Sequence, residues 1–95
     1  MYTIEPTRRF RRSLRRLQES GTFKPAAVED FKYVVTCLAN GNPLPAAFRD
    51  HALTGDLSGY RECHIKGDLL LVYQKNDRVL IIDLVDIGTH SQIFG

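Results

Sequence analysis

The run Tyr60-Arg61-Glu62-Cys63-His64-Ile65-Lys66-Gly67-Asp68-Leu69-Leu70-Leu71-Val72-Tyr73-Gln74-Lys75-Asn76-Asp77-Arg78-Val79-Leu80-Ile81-Ile82-Asp83-Leu84-Val85-Asp86-Ile87 decides the fold. It divides into three strands: Tyr60 to Ile65, Asp68 to Gln74 and Val79 to Ile87. Lys66-Gly67 supplies a tight turn between the first two, and Lys75-Asn76-Asp77-Arg78 a hairpin turn between the last two. Apolar stretches as long as Leu69 to Tyr73 suit central strands covered by helices.

Outward from the meander, residues 43–59 contain Pro43, Pro45, Gly55 and Gly59 and read mainly as loop. Before them, Ala27/Val28, Phe31, Val34/Val35 and Leu38 recur every three to four residues, which predicts a helix. Pro25 suits its first turn, and Asn40-Gly41-Asn42-Pro43 stops it, with Gly41 as a left-handed cap. Earlier still, Thr7 can cap a helix that runs to Ser20 and ends at Gly21. The chain opens on Tyr2-Thr3-Ile4-Glu5, β-prone and closed by Pro6, an edge strand. The order is β-α-α-β-β-β. The simplest architecture is α+β, an antiparallel sheet with a helical hairpin packed on one face.

The 95 residues make one domain, residues 1–95, with no room for a second catalytic one. Val79 to Ile87, interrupted by Asp83 and Asp86, falls far short of a membrane span. No secretory leader is visible at the start, and two cysteines, Cys37 and Cys63, exclude a disulfide framework. A cytoplasmic protein without membrane contact, held by its apolar core, is the expectation.

Charge is unevenly distributed. Residues 1–49 carry nine Lys/Arg against four Asp/Glu, or +5; residues 50–95 carry four against seven, or −3. A basic half suits a polyanionic partner. On the first helix Phe10, Leu14 and Leu17 make one buried stripe at ~100° per residue. Arg8, Arg12 and Arg15 fall opposite it, flanked by Arg9, Arg11 and Arg16. This face is either solvated or meets phosphates or an acidic chain, which would relieve the repulsion among six like charges.

Candidate chemistry lies in the second half. His51 is in the loop before the meander, His64 on its first strand and His90 just past its last. Asp50, Glu62 and Asp68 are possible acidic neighbours. A lone strand histidine is commonly structural, and spacing alone does not bring the three together. Metal binding by His and Asp is weakly suggested at most: there is no H-x-x-x-H or C-x-x-C pair, and Cys63 and His64 point to opposite faces of a strand. No cofactor motif is present. Two histidines with a carboxylate and basic residues suit metal-free RNA cleavage, which needs a base for the ribose 2′-OH and an acid for the leaving 5′-oxygen.

Asp50-His51-Ala52-Leu53-Thr54-Gly55, Gly59-Tyr60-Arg61-Glu62-Cys63-His64, Asp68-Leu69-Leu70-Leu71-Val72-Tyr73 and the ending Gly88-Thr89-His90-Ser91-Gln92-Ile93-Phe94-Gly95 occur in that order. Together they resemble the YafQ branch of the RelE/ParE toxin superfamily. The first half fits less specifically, through its strand, two helices and Leu44-Pro45.

The resemblance implies a RelE-like fold and a bacterial type II toxin: an endoribonuclease that cuts mRNA, typically in the ribosomal A site, and is held inactive by a cognate antitoxin of RelB or DinJ type. Operator DNA would be met only through the antitoxin complex. The implied site is His51, His64, Asp68, His90 and Phe94. On this reading His90 and His51 form the acid/base pair, with their order open, and His64 and Asp68 orient groups and hold the scissile phosphate. Phe94 could stack on a base or plug the sheet. Arg61 could contact phosphate or pair with Glu62 or Asp68. Glu62 receives no role. Use of Arg8, Arg12 and Arg15 on RNA or antitoxin is inferred from charge, since no family motif covers them. The competing class is a catalytically silent module of the same fold that inhibits a target such as DNA gyrase; such a module has no need of the full histidine set.

Overall fold

The computed structural model describes residues 1–95. Strand β1 is Thr3–Pro6, followed by helices α1, Arg8–Ser20, and α2, Pro25–Ala39. A two-residue strand β2, His51–Ala52, precedes the meander of β3, Arg61–Lys66, β4, Leu69–Asn76, and β5, Ile81–Gly88. A short helix α3, His90–Phe94, closes the chain. The expected α+β order holds, with β2 and α3 as additions. No helix is long and apolar enough to cross a membrane.

The sheet order is β1-β5-β4-β3-β2. The meander is antiparallel as expected. β1 is an edge strand, and it pairs with β5 in parallel, Thr3 opposite Ile81 through Pro6 opposite Leu84. Beyond Leu84 no strand flanks β5 on that side, and α1 begins there. Thr7 fixes the junction: its Oγ1 accepts from the Phe10 amide at 3.1 Å and donates to the Leu84 carbonyl at 2.9 Å. One side chain thus caps the helix and ties it to the sheet.

Both helices cover one face. Phe10 and Leu17 of α1 and Ala27, Val34 and Leu38 of α2 pack on Cys63, Ile65, Leu71, Tyr73, Ile82, Leu84 and Ile87. Phe10 and Phe31 stack across the hairpin at 6.0 Å. Leu14 is only half-buried, and Ser13 is buried beside it. Gly21 ends α1 with φ 73°, and Gly41 follows α2 with φ 72°, both left-handed as a helix stop requires.

Two boundaries move. Val79 and Leu80, expected in the last strand, are exposed turn residues, and Leu80 has φ 56°. Asn76 Oδ1 accepts from the amides of Arg78 and Val79, drawing them away from the ladder. The first turn is Gly67-Asp68 rather than Lys66-Gly67, so Asp68 precedes the strand it was expected to open.

Candidate active site

Strand alternation sorts the candidates onto faces. His51 pairs with Glu62, Glu62 with Val72, and Val72 with Asp86. These four residues form one row across β2, β3, β4 and β5, on the face opposite the helices. The next row on that face is His64, Leu70 and Gly88. After Gly88 the chain turns into α3, which packs on β5.

At one end of the row, His51 Nε2 lies 3.0 Å from Glu62 Oε2, and its Nδ1 lies 2.7 Å from the Arg49 carbonyl oxygen. A carbonyl only accepts, and so does an ionised carboxylate. Both ring nitrogens are therefore satisfied when both carry protons. The Glu62 side chain is 9% exposed, and its Oε1 is buried with no partner, so His51 is its one side-chain partner. At the other end of the row, Asp86 is 4% exposed and receives Arg9 Nε at 2.9 Å. Thus Val72 sits between two buried carboxylates, one bound by His51 and the other by Arg9.

Leu57 and Tyr60 on one side and Ile93 and Phe94 on the other wall a cleft floored by Val72, Val85 and Asp86, with Arg9 lining it as well. His90 and Phe94 are four residues apart on α3, and their rings lie 4.9 Å apart. Thr89 and Gln92 form a capping box: Thr89 Oγ1 accepts from the Gln92 amide, and Gln92 Oε1 from the Thr89 amide at 2.8 Å. Gly88 allows this packing, since a Cβ there would stand 2.8 Å from Gln92 Oε1. His90 is exposed and His64 half-buried, and neither ring hydrogen-bonds within the chain. Asp68, at the tip of the β3–β4 turn, is exposed and pairs with nothing.

Arg61 is a correction. It lies on the helix-bearing face, paired with Ala52 and Tyr73, away from His64. Its partner is neither Glu62 nor Asp68 but Asp50, which Nη2 reaches at 3.1 Å. The Tyr73 hydroxyl also donates to Asp50. The hydrogen bonds Arg61 donates to Asp50 and then to Tyr73 raise its pKa further, while burial, and then Asp50, raise that of Tyr73. Arg61 thus braces Asp50, the residue preceding His51. Burial pushes the Cys63 thiol up to about 12, which leaves it an inert core group.

Of the six arginines on α1 only Arg9 has an acidic partner; Arg8, Arg11, Arg12, Arg15 and Arg16 are exposed without an ion pair. Sequence reasoning counted Arg9 among the unbalanced six and gave Asp86 no partner. A carboxylate interrupting an apolar strand run was the available signal, because a buried charge needs a counter-charge. No three His, Cys, Asp or Glu side chains converge where an ion could sit.

Comparison with known proteins agrees over the whole length. A family described as bacterial toxin of type II toxin-antitoxin system, YafQ, matches residues 2–95. The mRNA interferase toxin YafQ of Escherichia coli K12 is 42% identical over 65 residues, 67% of this chain and 68% of that protein. Among solved structures, a metal-bound toxin from Helicobacter pylori superposes with a TM-score of 0.87 at 40% identity, over 99% of this chain and all of that one. The toxin in an E. coli DinJ-YafQ complex superposes with a TM-score of 0.84 at 31% identity, over the full length of both.

Proposed function

The chain belongs to the YafQ family of type II toxin–antitoxin toxins, and from that premise we propose that it is an endoribonuclease that cleaves mRNA in the ribosomal A site and is silenced by a cognate antitoxin. The observation that carries the reading is the clustering on one sheet face: His51 on Glu62, His64 on the next row, and His90 with Phe94 on the helix beside them. His64 and His90 make no hydrogen bond within the chain, which leaves their ring nitrogens available to a substrate.

The ribose 2′-OH attacks the adjacent phosphorus, and His90, with both nitrogens free, takes its proton. The P–O5′ bond breaks, and the leaving oxygen takes a proton from His51, whose Nε2 faces Glu62 and whose Nδ1 faces the Arg49 carbonyl. The products are a 2′,3′-cyclic phosphate and a 5′-OH. His64 and Asp68 orient the RNA, and Phe94 stacks on a base. The Arg8, Arg12 and Arg15 face meets ribosomal RNA or an acidic antitoxin segment. The site of action is the cytoplasm, where ribosomes and antitoxin are.

The test is induction in bacteria without antitoxin, with new mRNA 5′ ends mapped. Wild type should arrest growth and create in-frame cuts; His90→Ala should do neither. Equal harm from both at equal soluble expression would point to a non-catalytic inhibitor.

A further inference from the structure

Arg9 occupies an unfavourable place for a cation. It lies in the first turn of α1, where the helix dipole is positive, and that turn has no acidic residue. Its compensation comes from the sheet. Nε donates to the buried Asp86 at 2.9 Å, and Nη2 makes a long bond of 3.4 Å to the Ile93 carbonyl on α3. Of the five guanidinium donors three remain, and the side chain is 61% exposed. Arg9 is the one cationic side chain lining the cleft between Tyr60 and Phe94. Asp86 is further fixed by the Ile87 amide at 2.8 Å, so it orients Arg9 without rotating.

Resting on the ribonuclease reading above, the geometry points to Arg9 as the phosphate-binding cation of this cleft, with Asp86 as its positioning residue. A nucleotide whose base lies on Phe94 directs its phosphate toward the same rim. The free donors of Arg9 then hold a phosphate neighbouring the scissile one, because His51 stands at the other end of the row, three strand spacings or about 14 Å away. A guanidinium preset by a buried carboxylate presents its donors without rearrangement when the RNA binds and so fixes where the neighbouring scissile phosphate lies.

The test is single-turnover cleavage of mRNA programmed on ribosomes by wild type, Arg9→Ala, Arg9→Lys and His90→Ala. Misplacing the reacting phosphate by about 1 Å costs on the order of 10²-fold in rate. Arg9→Ala should slow by about that factor, with apparent affinity for the programmed ribosome little changed. Dilute guanidinium should restore part of its rate and none of that of His90→Ala. Arg9→Lys should lie between, since it keeps the charge and loses the fork. Arg9→Ala cleaving like wild type, or slow without guanidinium rescue, would overturn the assignment; the second result would make Arg9 a strut between α1 and α3. An inactive wild type would instead sink the ribonuclease reading on which the assignment rests.

Discussion

Tyr73→Phe removes one O–H and nothing else from the clamp behind His51. Tyr73 is 1% exposed, so its ring keeps its packing in the variant. Asp50 Oδ1 loses its principal donor and is left with Arg61 Nε at 3.4 Å. A hydrogen bond to a charged group is worth about 1.5–3 kcal/mol. The Asp50 side chain is 24% exposed, so water replaces part of the loss and the lower end applies, about 1.5 kcal/mol. For a domain of this size that is a fall in Tm of about 6–12 °C. The functional consequence is separable. Asp50 precedes His51, so loosening it should slow cleavage, and in a His51→Ala background the same change should slow it no further. Thermal melts and single-turnover cleavage of the two single variants and the double variant measure both. An unchanged Tm, or equal further slowing in the His51→Ala background, would refute the clamp.

Gly88→Ala should displace Gln92 from the capping box and tilt α3, costing about 1 kcal/mol of stability and slowing cleavage because His90 and Phe94 ride on that helix; melting and rate together check it. Cys63, with its thiol pushed up to about 12 from an ordinary value near 9, stays protonated in the fold while the unfolded chain ionises. The folded state then binds the extra proton, so stability should fall from about pH 9 upward, by about 1.4 kcal/mol at pH 10. Urea titrations at pH 8 and pH 10 should show that loss in wild type and a smaller one in Cys63→Ala. Arg12→Glu with Arg15→Glu should weaken ribosome or antitoxin binding and lower its log–log salt slope by about one to two; an unchanged affinity and slope would mark this face as merely solvated.

The local part of the fold was legible because it rests on short-range rules. Period-2 runs marked β3, β4 and β5, and Thr7, Gly21, Pro25 and Gly41 marked the helix ends. Helix α3 was also within reach, since Thr89 and Gln92 have capping-box spacing ahead of Ile93 and Phe94. The non-local part was not. The pairing of β1 with β5 joins residues 78 apart at Thr3 and Ile81, and β2 is two residues recognisable only by its partner. The candidate site divides the same way. The histidines, Asp68 and Phe94 came from spaced motifs, whereas the His51–Glu62 and Arg9–Asp86 pairs depend on sheet register. Alternation did carry one unused warning: Arg61 and Glu62, adjacent on a strand, cannot face each other.

The central claim is that the substrate's own 2′-OH is the nucleophile. An mRNA programmed on ribosomes, with a single 2′-deoxy nucleotide on the 5′ side of the scissile phosphate, tests it most directly. The account predicts that wild type leaves the deoxy message intact, cuts the all-ribose message to a 2′,3′-cyclic phosphate and a 5′-OH, and that His90→Ala slows that cut by ~10²–10⁴-fold. Cleavage of the deoxy message, or a 5′-phosphate on the downstream fragment, would contradict it.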